Sequence, residues 1–306
     1  MRMALAYAVS DLSLKDVAAW ASALRVAQIS GPGLFYRLRE AEQWLEQVLG
    51  QVLSEQLPQA AGGFRLRVVD ATVINGPGPK AVQWRAHASI NPTTGSIRAV
   101  ELTDDSGGEK FSRHRFGAGD VVLGDRGYAT ARGVYALRQQ EAHVVVRFNP
   151  ATLRTGDEKR RRMYLAEKEA GVPKIGATEF KITIPVPPAA TRSHKTWDSA
   201  KATAWVSARA ICARTRTGEV TWLLTTLPAK QKPAIGILGL YRVRWQIELL
   251  LKRLKSLLHL DMLPSREGPT AKSWMLARLI AAALAQRLVQ PSGPLSPWGY
   301  AIRGNG

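Results

Sequence analysis

"DVVLGDRGYATARGVYALRQQEAHVVVRF", residues 120 to 148, holds two nearly continuous apolar runs with an amphipathic stretch between them. Short β-branched runs bounded by turn residues read as buried strands, and "ARGVYALRQQE" spaces its apolar residues at helical intervals. Upstream, "FRLRVVD" (64–70), "AVQWRAHASI" (81–90) and "SIRAVELTDD" (96–105) follow a period of two, with "NPTTG" as the turn between the last two. These are three further strands, expected to be antiparallel. "GEKFSRHRF" (108–116) reads as helix-like. Strand, strand, strand, helix, strand, helix, strand is an α/β order.

Ahead of that order, residues 1–58 read as helices. "SLKDVAAWASAL" offers Ser13 as a cap with Asp16 three residues on, and "LFYRLREAEQWLEQVLGQVL" repeats the apolar spacing after an "SGPG" break. This is a small N-terminal helical segment and a candidate partner contact. Residues 59–150 are the first part of an α/β core, and 151–227, with "KITIPVP" and "KATAWVSARAICARTRTGEVTWLLTTL", are a β-rich insertion. Residues 228–290 return to helix, and the Pro and Gly-rich 291–306 read as a flexible tail.

Composition sets the class of partner. The chain of 306 residues is 45% hydrophobic, enough for a sizeable core, and it carries 43 Lys plus Arg against 24 Asp plus Glu, a net charge of +19. Such an imbalance points to a polyanion, nucleic acid first. No apolar run reaches the length of a membrane span, so no membrane partner is expected. The single cysteine, Cys212, has no thiol to pair with, which fits a reducing, cytoplasmic compartment. The five histidines lack metal-ligand spacing, and no P-loop or GxGxxG is present, so neither zinc nor a nucleotide cofactor is expected. "EKRRR" at 158–162 is a basic cluster that reads as a solvated turn.

The most basic amphipathic stretch, "YRVRWQIELLLKRLKSLLHL" (241–260), contains one carboxylate. On a continuous helix at about 100° per residue, Tyr241, Arg244, Glu248 and Lys255 fall on one stripe, while Ile247, Leu250, Leu251 and Leu254 form a second that packs on a core. Taken alone, Glu248 reads as an ion-pair partner of Arg244 or Lys252. Two other acids alter that reading. Asp70 ends the strand in "RLRVVDAT" and Asp125 follows the strand in "DVVLGDRGY", both at carboxyl ends of strands, where α/β sheets place ligands. An aspartate at a strand end is ordinarily a turn former. Three acids together, however, are what a two-metal phosphoryl-transfer site requires.

Tyr241, Arg244, Glu248 and Lys255 stand at the spacings of the Y-R-E-K signature of the DDE transposases of the insertion-sequence-four family, which the chain resembles. "VVDATVI" is similar to the family's first-Asp segment and "GDRGYA" to its second. The resemblance covers roughly residues 10 to 290. It implies a ribonuclease H-like core with a mixed sheet, a β-rich insertion before the last catalytic helix, and a small N-terminal helical domain. It further implies two Mg2+ ions, with Mn2+ able to substitute, held by Asp70, Asp125 and Glu248, whose charges stay uncompensated until metal arrives. Tyr241, Arg244 and Lys255 would hold the DNA strand by its phosphates. Arg126 is a further candidate DNA contact, and among tryptophans Trp197, in a polar loop, is the candidate base-stacking residue. Trp222 reads as core and Trp245 as packing.

The implied activity is cut-and-paste transposition: phosphodiester cleavage at transposon terminal repeats, then joining of the 3′-hydroxyl to target DNA. The implied partner is double-stranded DNA, with a homodimer in the complex and a bacterial, nucleoid-associated location. Two alternatives stay open. The termini are short for the family, which favours a shortened or domesticated copy that acts as a DNA-binding or dimerising inhibitor; another ribonuclease H-like nuclease is the second.

Overall fold

The computed structural model describes residues 1–10, 12–54, 64–75, 83–104, 106–173, 176–189, 198–214, 218–257, 263 and 268–289. In chain order the elements are helices α1 (Arg2–Val9), α2 (Leu14–Ala23), α3 (Gly31–Glu40) and α4 (Glu42–Ser54), then strands β1 (Arg65–Asn75), β2 (Gln83–Ile90), β3 (Ile97–Asp104) and β4 (Asp120–Gly124). Helix α5 (Ala131–Gln139) and strands β5 (His143–Arg147), β6 (Thr155–Gly156), β7 (Arg162–Met163), β8 (Gly176–Val186), β9 (Ala204–Arg214) and β10 (Val220–Thr225) follow. Helices α6 (Ala234–Arg242), α7 (Trp245–Leu257) and α8 (Gly268–Val289) close the series. The tail 291–306, Trp197, and the side chains of Leu254 and Lys255 lie outside the described residues. The chain forms two compact units, each discontinuous in sequence. One comprises residues 1–59, 71–107 and 248–306, the other residues 60–70 and 108–247.

In the first unit α8 is the scaffold. Trp274, Met275, Leu276, Leu279 and Ile280 are all buried, so this helix is apolar on nearly every side and must be surrounded. Helices α1, α3 and α4 surround it, burying Leu34, Leu38, Leu45 and Leu49. Lys272 of α8 is shared between Glu42 at 2.6 Å and Glu46 at 2.7 Å on α4. The cap expected at Ser13 is present as a capping box: Ser13 Oγ accepts from the Asp16 N–H and the Asp16 carboxylate accepts from the Ser13 N–H. Strands β2 and β3 pair antiparallel about the expected turn. There Gly95 takes φ +68°, and its carbonyl accepts from Gln286 of α8 at 2.7 Å.

In the second unit the strand order is β1-β4-β5-β10-β9-β8-β6-β7. Strands β1, β4 and β5 run parallel to one another, and β10 joins β5 antiparallel, so the sheet is mixed. The long strands β8, β9 and β10 thus continue the sheet beyond β5. One face carries Val122, Val144, Val146, Trp222, Leu224, Ile182, Ile184, Ala210 and Cys212 into a core with Val134 and Leu137 of α5. The opposite-facing Val68, Leu123, Val145 and Leu223 are buried as well, which is why these strands read as continuous apolar runs rather than alternating ones. Trp222 is core as expected: it stacks on Phe180 with centroids 5.8 Å apart and donates to Glu169 at 3.2 Å.

Two expectations are corrected. "GEKFSRHRF" forms only a 3-10 turn, Phe111–Arg113, after which His114 is extended; the Arg113 guanidinium donates back to the Gly108 carbonyl at 2.9 Å and Phe111 fills the core, so the segment is held as a tight loop. The stretch from Tyr241 onward is not one helix. Val243 N–H bonds to Leu240, Arg244 to Tyr241, Gln246 to Val243 and Ile247 to Arg244, all three residues back. Each such residue advances about 120° instead of 100°. Tyr241 therefore belongs to the last turn of α6, Arg244 to the connection and Glu248 to the first turn of α7, and a single stripe phased at 100° does not describe them.

Candidate active site

The sequence separation of the two aspartates equals a register. On parallel strands β1 and β4, Arg65 lies opposite Asp120 and Val68 opposite Leu123. Asp70 and Asp125 each lie two residues beyond that last pair, so they fall in one register row; β1 runs on to Asn75, however, so Asp70 lies in the middle of its strand and not at its end as expected, while Asp125 directly follows β4. Next in the row is Arg147: Gly124 of β4 pairs with Val146 of β5, and Arg147 follows it. Residues in one row of neighbouring strands share a face, and the Arg147 Nε lies 3.4 Å from the Asp125 carboxylate.

Asp125 is half-buried at the start of a 3-10 turn, Arg126–Tyr128. The loop is set by close packing. Gly124 sits so near Tyr128 and Phe111 that a Cβ there would lie 3.2 and 3.3 Å from them. Tyr241, from α6, donates its hydroxyl to the Asp125 carboxylate at 3.1 Å. The guanidinium of Arg244 lies 5.6 Å from the centre of the Tyr241 ring. Burial works to raise the pKa of Asp125, but the Arg126 N–H, the charges of Arg244 and Arg147 and the Tyr241 hydroxyl together outweigh it and hold the carboxyl below its usual range. Tyr241 moves the opposite way, pushed up by burial and then by the charge of Asp125. Its phenol is therefore a proton donor to the carboxylate throughout the physiological range.

The expectation of uncompensated acids is thus corrected at Asp125, which has two cations and a phenol around it. The neighbour that sequence reasoning missed is Arg147. Its only signal was a cation closing the apolar run "HVVVR", and linking it to Asp125 requires the β4–β5 register. Asp120, at the opposite end of β4, shows a different use of the same residue. It is buried and takes Arg65 Nε at 2.8 Å and the Gly117 N–H at 2.9 Å, so it is a structural acid.

Of the remaining candidates, Arg126 is exposed beside Asp125, and Glu248 is exposed in the first turn of α7. Trp245 is 39% exposed, not the packing residue its pattern suggested. Among the described residues no group of three or more His, Cys, Asp or Glu is assembled that could hold a metal ion. Asp70 and Asp125 nonetheless fit part of such a site: two carboxylates in one row, one of them held ionised, are oxygen donors suited to a hard divalent cation.

Residues 61–284 match the family described as "Transposase DDE domain". The chain belongs to the DDE transposases. It is 33% identical to the putative transposase InsL of insertion sequence element IS186A from Escherichia coli K12, over 97% of this chain and 86% of that protein. It is also 33% identical to the transposase of insertion sequence element IS421 from Escherichia coli, again over 97% of this chain and 86% of that protein. The two aspartates and Glu248 all lie inside the matched region. Among the described residues of this DDE transposase no helix is long and apolar enough to cross a membrane.

Proposed function

We propose that this transposase is a cut-and-paste enzyme of the insertion-sequence-four family, with a ribonuclease H-like core and the Y-R-E-K signature of Tyr241, Arg244, Glu248 and Lys255. It cleaves phosphodiesters at transposon ends and joins the freed 3′-hydroxyl to target DNA. Asp70, Asp125 and Glu248 are its catalytic acids and would hold two Mg2+ ions, with Mn2+ as substitute. The observation that carries this reading is the shared register row of Asp70, within β1, and Asp125, at the carboxyl end of β4. The bound ions would supply activation of the attacking oxygen and neutralisation of charge on the phosphate.

The protein's own groups do the rest. The Tyr241 hydroxyl and the Arg126 N–H fix the orientation of the Asp125 carboxylate and keep it ionised, so that it enters the reaction already deprotonated. Arg147 and Arg244 set positive charge beside it, where a phosphate must come. Lys255 adds a further cation on the same α7 as Glu248. Cutting two ends calls for at least a dimer in the DNA complex.

The test is cleavage of a duplex carrying the element's terminal repeats, with and without Mg2+. The wild-type protein should nick or cut at the repeat boundary only with the ion, and Asp125→Asn should bind the duplex and not cut. Cleavage by Asp125→Asn at a near wild-type rate, or by the wild type after chelation, would overturn the assignment.

A further inference from the structure

The basic run 158–162 closes the hairpin between β6 and β7, and it has one fixed shape. The Asp157 carboxylate accepts from the Lys159 and Arg161 N–H groups, each at 2.9 Å, and from Arg161 Nε at 2.7 Å. The Asp157 N–H donates to the Arg161 carbonyl at 2.8 Å, while the Asp157 carbonyl accepts from Arg160 N–H and from the Thr183 hydroxyl, both at 2.9 Å. This network holds Arg160 at φ +62°, the left-handed region that a residue with a Cβ adopts only under constraint. Such constraint concentrates where a side chain must be aimed.

What is aimed is a set of cations on aromatic supports. The Arg160 guanidinium lies 5.5 Å from the centre of the Trp205 ring, and that of Arg162 lies 5.0 Å from the centre of Tyr164, itself 56% exposed. A guanidinium stacked by its face leaves its N–H edge free to donate. Arg161 is engaged by Asp157, and Glu158 is paired with Lys181 at 3.3 Å. Lys159, Arg160 and Arg162 are exposed, with no carboxylate partner among the described residues.

We propose that the β6–β7 tip is a preformed grip for the sugar–phosphate backbone of duplex DNA, in which Arg160 and Arg162 bind phosphates and Trp205 and Tyr164 hold their guanidinium planes. The grip rests on the reading of the protein as DNA-acting. Because the turn is ordered before binding, the entropy of arranging these side chains is already spent, which a loose cluster of arginines would have to lose on contact. Phosphate contacts of this kind position the duplex without reading its sequence.

The test uses the full chain and a mixed-sequence duplex, with affinity measured at several salt concentrations and thermal unfolding followed for each variant. Arg160→Gly combined with Arg162→Ala removes both cations and relieves the φ constraint. It should lower the slope of log affinity against log salt by about 1.8, at roughly 0.9 per lost phosphate contact. Asp157→Ala makes the protein more positive yet unlocks the turn, and it should bind more weakly than wild type. An unchanged slope in the double variant, or tighter binding by Asp157→Ala, overturns the grip. Absence of any duplex binding by the wild type would overturn the DNA-acting reading, and the grip with it.

Discussion

His114 should make the stability of this protein fall steeply between neutral pH and pH 5. The residue is 4% exposed, neither ring nitrogen has a hydrogen-bond partner among the described residues, and its ring meets Phe116 edge-on at 6.0 Å. Burial, with help from the charge of Arg113, depresses its pKa from 6.5 to about 4. A depressed folded-state value means that the unfolded chain takes up the proton first, so the stability present above pH 6.5 is lost as pH falls toward 4. At about 1.4 kcal/mol per unit, the full loss is about 3 kcal/mol, and about 2 kcal/mol of it is gone at pH 5. At about 2.1 cal/mol/K of unfolding entropy per residue, 2 kcal/mol corresponds to a drop in melting temperature of roughly 3 °C for a chain of 306 residues. Calorimetry from pH 8 to 5 on wild type and His114→Leu measures this directly, since other titrating groups are common to both. The wild type should lose that much more than the variant across the interval. Parallel curves would refute the reasoning, and would mean that the imidazole reaches water or a partner when charged.

Three further outcomes are expected. Asp70→Asn and Glu248→Gln, like Asp125→Asn, should abolish metal-dependent cleavage while duplex affinity persists or rises, as read by gel cleavage and binding assays on the same preparations. Arg209→Met should cost about 3 kcal/mol, because this buried guanidinium holds the Glu179 carboxylate and the carbonyls of Leu227 and Lys232, each at 2.9 Å, just before α6; denaturant unfolding with Glu179→Gln and the double variant would show the coupling, and near-additive losses would rule it out. Ile247→Ala, at a fully buried position, should cost about 2 to 5 kcal/mol without changing the salt slope of DNA binding, whereas Lys255→Ala should leave melting in place and lower the slope by about one; the reverse pattern would make Lys255 structural.

Much of this was legible before any tertiary structure. Buried parallel strands need apolar residues on both faces, so β4 and β5 announce themselves as continuous runs, and Ser13 with Asp16 is a cap whose partners are three residues apart. Asp70 and Asp125 were visible too, because an acid that closes an apolar run is a local pattern, although β1 itself runs on past Asp70 to Asn75. Only the tertiary structure turned their separation in sequence into a register row and made Arg147 the third member of it. Pairing between strands depends on hydrogen bonds distant in sequence, and periodicity carries no record of it. The same holds for the break after Tyr241. A helical period of 100° per residue fits "YRVRWQIELL" well enough on its own, and what bends it is Tyr241 held on Asp125 while Ile247 is buried. The sequence by itself determined most of the strands and helices and which acids close their apolar runs, since those are short-range choices of solvent against core. Which charges face each acid was decided by the fold alone, because Arg147, Tyr241 and Arg244 approach Asp125 from strands and helices that only packing brings together.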